Sequence, residues 1–253
     1  MHKERLAKEI AWHEGQFRSD HPLNRWPFHS VDRHSASMET AKSALFGSVA
    51  NRFPSFHPNT VLLAPAGHFG DLRYVKHLWP RAAVHAVDIA DAGLKEHPEI
   101  PSVVADISEH LPYPDWHFDA VISTLFFHHV IDEGFDTYLR ELRRVLRPGG
   151  LFVTLEFSWL HPLFWITRPL KRVFGNITGQ VDHERPVFPW RLVQAMRRLG
   201  FENIQTFGCS FGHNRMPVPV TKVLNAAFAP LLQVPILQYS AWQIGFVALR
   251  GSI

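Results

Sequence analysis

Carboxylate and imidazole side chains follow several short apolar runs of the sequence. Asp88 follows the run AVHAV, and Asp106 ends the run VVAD. His128 and His129 follow a third apolar run, FDAVISTLFF. A carboxylate can accept hydrogen bonds from two hydroxyl groups, and a histidine can take up a proton near neutral pH. These residue types predict ligand binding and proton transfer at the ends of the runs.

The apolar runs also predict the sheet that would bring these side chains together. Short apolar runs bounded by turn residues indicate strands buried on both faces, as in parallel sheets covered by helices. Ligands of such sheets bind outside the carboxyl ends of the strands. The predicted strands are residues 61–64, 84–87, a third strand closed by Asp106 and Ile107, and then 120–125, 151–157 and 244–250. The predicted amphipathic helices are residues 38–53, a helix from Leu72, 135–146 and 189–199.

A glycine-bearing turn, PAGHFGD, joins the first predicted strand to the helix at Leu72. Gly67 and Gly70 allow the backbone of such a turn to approach a ligand closely. Asp88 follows Gly67 by about 20 residues, the distance at which an acid binds the ribose of an adenosine ligand in doubly wound folds. The turn and Asp88 together predict a nucleoside site.

Two segments carry a resemblance to a known family. They are VVADISEHLPYPDWHFDAVISTLFFHHV, residues 103–130, and ELRRVLRPGGLFVTLEFS, residues 141–158. Both resemble class I S-adenosylmethionine-dependent methyltransferases of the type 11 kind, and LEFS is similar to the ubiquinone/menaquinone C-methyltransferases. The resemblance implies an α/β fold with a doubly wound, Rossmann-like, seven-stranded sheet whose last strand is antiparallel. It also implies methyl transfer from S-adenosyl-L-methionine to a small or lipid-like molecule at oxygen, nitrogen or carbon.

The resemblance assigns residues to the cofactor and to catalysis. Asp106 would lie beside the adenine amino group, and Ile89 would line one face of the ring. The expected catalytic residues are His128, His129 and Glu156, where Glu156 either faces the substrate or is a buried structural carboxylate. A dedicated base could also be absent, because methyl transfer from a sulfonium demands little beyond alignment. The full set expected at the cofactor is Ala64, Gly67, His68, Gly70, Asp88, Ile89, Asp106, Ile107, Thr124 and Leu125.

The glycine turn departs from the family pattern at two positions. Leu63 stands where the family has an acid, and Pro65 replaces the first glycine, which removes an N–H donor and stiffens the turn. One interpretation is a working site in which His68, Asp71 or the amino-terminal leader holds the methionine end of the cofactor. The others are cyclisation or elimination of the sulfonium, and a non-catalytic binding subunit with a degenerate loop.

A nicotinamide-dependent reductase is a further alternative for such a fold. Short-chain reductases activate a tyrosine with a lysine four residues later. Every tyrosine of this chain lacks that lysine, namely Tyr74, Tyr113, Tyr138 and Tyr239. The pattern therefore disfavours a reductase.

Composition narrows the class of protein. The chain has 253 residues, of which 46% are hydrophobic, and this favours one α/β domain with a sizeable core. Cys209 is the single cysteine, so internal disulfides and cysteine-based zinc sites are excluded, and no metal is expected. The net charge of +3 comes from short helical clusters, so no nucleic-acid partner is predicted.

The absence of an apolar signal at the amino terminus favours a cytoplasmic protein. Residues 223–236 form the longest apolar stretch near the carboxyl terminus, which is shorter than the about 20 residues of a membrane span. Residues 1–37 are expected to form a lid over the cofactor, and residues 38–253 the methyltransferase domain. Within it, residues 158–188 and 213–243 are expected to cover the substrate. The latter could be a lid, a dimer contact, a membrane-surface patch or a covering helix, and the protein a monomer or homodimer.

Overall fold

The computed structural model describes residues 31–162, 164–165, 185–212 and 218–252, together with residues 7, 10 and 11. The expected lid over residues 1–37 therefore lies outside the described residues, except for its last part and those three positions. Much of the expected insertion at 158–188 and the start of the one at 213–243 also lie outside them. The domain boundaries given by the sequence stay a prediction.

The described helices and strands alternate along most of the chain. In chain order they are α1 Val31–Arg52, β1 Thr60–Leu63, α2 Leu72–Leu78, β2 Ala83–Asp88, α3 Asp91–Leu94, β3 Ser102–Val104, β4 Phe118–Ile122, α4 Asp136–Val145, β5 Leu146–Phe157, α5 Pro189–Arg198, β6 Phe201–Ser210, α6 Val218–Phe228 and β7 Gln243–Arg250. Short 3-10 turns lie at Phe127–His129, Leu231–Gln233 and Leu237–Ser240.

The strands form one seven-stranded sheet in the order β3-β2-β1-β4-β5-β7-β6. The five strands β3, β2, β1, β4 and β5 are parallel to one another. Strand β7 is antiparallel to both β5 and β6. The predicted doubly wound α/β fold with an antiparallel last strand is therefore confirmed. Both faces of the sheet are covered, which explains why β1, β4 and β5 read as continuous apolar runs.

Each face of the sheet has its own hydrophobic core. Leu139 and Leu142 of α4 and Met196 of α5 pack on one face. Leu45 of α1 and Val75 of α2 pack on the other. Full burial of one such side chain contributes about 1.5–3 kcal/mol. The apolar stripes of the helices therefore fix which helix lies on which face, and with it the direction in which the loops at the strand ends point.

The third strand differs from the prediction. Residues 102–104 lie at the edge of the sheet, and Val104 is 54% exposed, so this strand is not buried on both faces. It ends before Asp106, because the Asp106 carboxylate accepts a hydrogen bond from the N–H of Ser108 (2.8 Å) and turns the chain. The fourth strand also ends early, at Ile122, and Leu125 adopts a left-handed backbone with φ of 56°.

Candidate functional site

Asp88 closes β2 with its carboxylate held by backbone donors. The N–H of Gly67 donates to Oδ2 (2.7 Å), and the N–H of Ala90 donates to Oδ1 (2.9 Å). The residue is only 6% exposed. An ionised carboxylate has about four acceptor positions, so about two remain for hydroxyl groups of a ligand. The carboxylate thus keeps hydrogen-bonding capacity for hydroxyl groups, and its role in binding a ribose stays a prediction.

The turn after β1 lies directly against the segment after β2. Gly67 has φ of 53°, a conformation that glycine adopts without strain. Its carbonyl oxygen would lie 2.1 Å from a Cβ at Gly93, so only glycine fits there. The two segments and Asp88 enclose a cavity of about 10 Å³, which is room for one water molecule. The cavity in this conformation is smaller than a ribose.

Two side chains of the turn extend the same contact. His68 Nδ1 lies 2.5 Å from Glu96 Oε1, and the ring of Phe69 packs on the ring of His97 with centroids 4.8 Å apart. His68 is thus directed to the segment after α3. Its expected part in holding the methionine end stays a prediction.

A buried ion pair lies at the other end of the turn. Lys42 Nζ of α1 lies 2.9 Å from Asp71 Oδ1, and Thr124 donates its hydroxyl to Asp71 Oδ2 (2.6 Å). The same Nζ would lie 2.8 Å from a Cβ at Gly70, so the absence of a side chain at Gly70 makes room for the amino group. The contacts connect α1, the turn and the end of β4 around one positive charge.

Lys42 is absent from the residues that the sequence assigned to the site. A usable signal existed, because Lys42 comes four residues after Met38 and three before Leu45 on the apolar stripe of α1. A lysine on a buried stripe needs a charged partner. Asp71 provides that partner here.

The second cluster joins Glu156 at the end of β5 to the 3-10 turn after β4. The carboxylate of Glu156 accepts the N–H groups of Phe126 (2.9 Å), Phe127 (2.7 Å) and His128 (3.3 Å). The imidazole Nδ1 of His128 lies 2.8 Å from Glu156 Oε2. Glu156 is 1% exposed. Of the two alternatives for Glu156, these contacts match the buried structural carboxylate.

His128 and His129 lie side by side but differ in surroundings. His128 is buried and its ring packs edge-on against Phe157 (4.9 Å between centroids). Its carbonyl accepts the N–H of Arg185 (3.2 Å), which ties the end of the expected insertion to the histidine. His129 is partly exposed, and its ring centroid is 4.2 Å from that of His128. Whether either takes a proton stays a prediction.

The remaining predicted residues fall into two groups. Ile89 and Leu125 are partly exposed, beside Asp88 and Thr124 respectively, and Asp106 is partly exposed at the end of the edge strand. Ala64 and Ile107 are buried, at 0% and 2% exposure, and Ile107 packs in the core. A direct cofactor contact for these five stays a prediction.

Among the described residues, no group of three or more His, Cys, Asp or Glu side chains could hold a metal ion.

A second buried histidine, His161, contacts the ring of Trp242. His161 Nε2 lies 3.0 Å from the carbonyl oxygen of Phe211, and burial lowers the pKa of His161 to about 4. The imidazole is therefore neutral at pH 7.

Within the described ranges, no helix is long and apolar enough to cross a membrane.

Comparison with known proteins identifies the family. Residues 68–154 match the family model described as a methyltransferase domain. The chain is 35% identical over 174 residues to the ubiquinone/menaquinone biosynthesis C-methyltransferase UbiE of Caulobacter vibrioides, a match that covers 59% of this chain and 65% of the relative. The chain thus spans slightly less than two thirds of that relative's length. It is 32% identical over 181 residues to the UbiE protein of Burkholderia cenocepacia, covering 64% of this chain and 67% of the relative.

A solved structure shares the fold. The S-adenosylmethionine-dependent methyltransferase of Thermotoga maritima superposes with a TM-score of 0.63 at 14% identity, covering 94% of this chain and 99% of that one. The strand order, the acid that closes β2 and the matched sequence all indicate the same family. The chain belongs to the class I S-adenosylmethionine-dependent methyltransferases.

Proposed function

We propose that this protein transfers a methyl group from S-adenosylmethionine to a carbon atom of a lipid-like, ring-bearing acceptor. The observation that carries the proposal is the geometry of Asp88, whose carboxylate is fixed by Gly67 and Ala90 with acceptor capacity to spare. A buried acid held in this way costs free energy unless a ligand or protein donors satisfy it. Hydroxyl groups of a ribose would complete its hydrogen bonding.

The residues around the turn also suit the rest of the cofactor. When bound, S-adenosylmethionine supplies a methyl group on an already activated sulfonium. Lys42 provides a buried positive charge beside Gly70, which favours the carboxylate of the methionine end. Asp71 pairs with the Lys42 amino group, and Thr124 donates a hydrogen bond to Asp71. Ile89 and Asp106 would line the adenine, as the family resemblance implies.

His128 is the stronger candidate for a general base. Glu156 accepts a hydrogen bond from Nδ1–H of His128, which directs the lone pair to Nε2, as carboxylate–histidine pairs do in other enzymes. Such a nitrogen can accept a proton from the acceptor ring after or during methylation. Glu156 then acts as a positioning residue, since it is buried beneath the histidine. His129 would face the acceptor from the partly exposed side.

The nature of the acceptor is inferred from the relatives and from the side chains near His128. Two relatives are named as C-methyltransferases of ubiquinone and menaquinone biosynthesis. In this chain, Phe157 packs against His128, and Trp242 packs against Phe157 with centroids 5.1 Å apart. Aromatic side chains bind flat rings by stacking and edge contacts. The names of the relatives support a quinone-like or other flat, lipid-like acceptor, and the buried rings of Phe157 and Trp242 make the surroundings of His128 apolar.

Calorimetric titration tests the cofactor part of the proposal. We expect the protein to bind S-adenosylmethionine and S-adenosylhomocysteine, and Asp88→Ala to weaken both by at least about tenfold, because two charge-assisted hydrogen bonds are lost. Asp91→Ala is the matched control, since Asp91 is an acid on the neighbouring helix that pairs with Lys95. Unchanged affinity in Asp88→Ala would refute the ribose assignment. A strong preference for the sulfonium over the demethylated product would favour cyclisation or elimination.

A non-catalytic binding subunit is the second candidate, and one observation favours it. The Gly67 carbonyl contacts Gly93 and leaves only a small cavity at Asp88, while Pro65 removes one donor from the turn. If this contact persists, neither cofactor form binds. Absence of binding by wild-type protein would therefore support this candidate and lead to a search for a partner that opens the turn.

A further inference from the structure

The segment between β6 and β7 exposes large apolar side chains. Val223 of α6 is 67% exposed, and Ile236, between the two 3-10 turns, is 81% exposed. Val220, Val234 and Leu237 are exposed as well. These five residues are called the C-terminal apolar surface below. The buried residue of α6 is Thr221, whereas Val220 and Val223 face away from the protein. Val220 and Val223 are three residues apart and share one face of α6, and Val234, Ile236 and Leu237 lie within four residues of one another, so each group is an exposed apolar cluster of the kind found at contact surfaces.

Charge distinguishes the classes of partner. No aspartate or glutamate occurs in the sequence after Glu202, and the exposed Lys222 lies between Val220 and Val223 on α6. Anionic lipid headgroups attract a positive charge and are repelled by acids, while the apolar side chains enter the boundary with the acyl chains. An apolar surface with one lysine and no acid complements an anionic lipid bilayer.

The surface is also connected to the candidate catalytic histidine by ring contacts. The ring of Phe228, at the end of α6, stacks on Phe211 with centroids 4.2 Å apart. Each ring contacts the next along a series that runs Phe228, Phe211, His161, Trp242, Phe157 and His128. Most of these rings are buried, so the series is a packed connection through the interior between α6 and the histidine.

We infer that the C-terminal apolar surface docks on an anionic lipid bilayer. Val223 and Ile236 enter the apolar boundary of the bilayer, and Lys222 meets the headgroups. Docking there would hold α6, which this ring series joins to His128, at the membrane in which a lipid-like acceptor resides, a part of the inference that rests on the proposed function. Bilayer docking itself requires neither cofactor nor turnover.

Co-sedimentation of the full chain with vesicles tests the inference. The vesicles contain phosphatidylcholine alone, or phosphatidylcholine with phosphatidylglycerol. We expect binding to the anionic vesicles, and at least about tenfold weaker binding when Val223→Ser and Ile236→Ser are combined. Lys222→Gln should weaken binding to anionic vesicles more than to neutral ones. The matched control is Val104→Ser, an exposed apolar residue on the sheet edge formed by β3.

The remaining outcomes would overturn the inference. Equal vesicle binding by wild type and the double variant would place the contact elsewhere. Another outcome is that wild type fails to bind vesicles and sediments as a dimer, while the double variant sediments as a monomer. In that case a second copy of the chain covers the surface. If wild type ignores vesicles and is a monomer, the surface has no bilayer role. Circular dichroism and cofactor titration of the same variants separate a failed fold, or failure of the proposed function, from failure of docking.

Discussion

Two buried acids end two strands of the same sheet, β2 and β5, and their surroundings differ. Asp88 at the end of β2 accepts two backbone N–H groups, one for each oxygen. Glu156 at the end of β5 accepts three backbone N–H groups and the imidazole of His128. The Asp88 carboxylate therefore has free acceptor positions for a ligand, whereas the acceptor positions of Glu156 are occupied by protein donors. Burial alone therefore does not identify a ligand-binding acid, whereas the number of satisfied acceptor positions does.

The comparison predicts different costs of neutralising the two acids. Glu156→Gln should lower the free energy of unfolding by about 3 kcal/mol or more, because it breaks a buried pair and turns an amide N–H₂ toward backbone donors. Asp88→Asn should cost about 1 kcal/mol, since only two backbone hydrogen bonds are disturbed. Urea unfolding of both variants measures the difference. Equal losses would show that the two acids have the same structural role.

The histidines near β5 extend the comparison to pH. His128 has an acidic partner, whereas Nδ1 of His161 is buried with no hydrogen-bond partner among the described residues. The pKa of His161 is about 4 in the folded protein and 6.5 in its ordinary state. The unfolded chain therefore binds more protons between these values, and stability falls as the pH is lowered from about 6.5 to about 4. The loss attributable to His161 is about 3 kcal/mol.

Unfolding in urea at several pH values between 4 and 7 measures this loss. His161→Gln removes the titrating group, so its stability should depend less on pH across that window than the stability of wild type. A variant with the same pH dependence as wild type would exclude His161 as the source.

At Gly93, a single added methyl group would perturb the Asp88 region. Gly93→Ala should lower the free energy of unfolding by about 1–3 kcal/mol, because its Cβ would overlap the Gly67 carbonyl. It should also displace Gly67 from Asp88. The matched control is Gly47→Ala in α1, where a Cβ meets no atom within 4 Å and should stabilise by about 0.5–1 kcal/mol. Thermal unfolding of both variants checks the opposite signs.

The sequence predicted the sheet well where strands are buried on both faces. Continuous apolar runs identified β1, β4 and β5, and the last antiparallel strand followed from the family resemblance. The burial of the edge strand was mispredicted. A short apolar run has the same pattern whether neighbouring elements cover one face of the strand or both. Val104 shows this, since its side chain is apolar but exposed.

The site was predictable where chain spacing carries the information. Asp88 was found because an acid follows the glycine turn at a recognisable distance. The contacts of Glu156 were not, because they join residues 28–30 positions apart and depend on the register of β4 against β5. Lys42 was missed for a related reason. Helical lysines usually face solvent, and only the tertiary position of Asp71 makes this one a buried partner.

The placement of β7 between β5 and β6 has a consequence for synthesis on the ribosome. Residues 201–210 emerge before residues 243–250, yet β6 pairs only with β7 within the described sheet. Until β7 is synthesised, both edges of β6 and one edge of β5 are open to other strands. One edge of β5 therefore stays unpaired through the translation of residues 211–242, and a chaperone that covers this edge would protect the nascent chain in that interval.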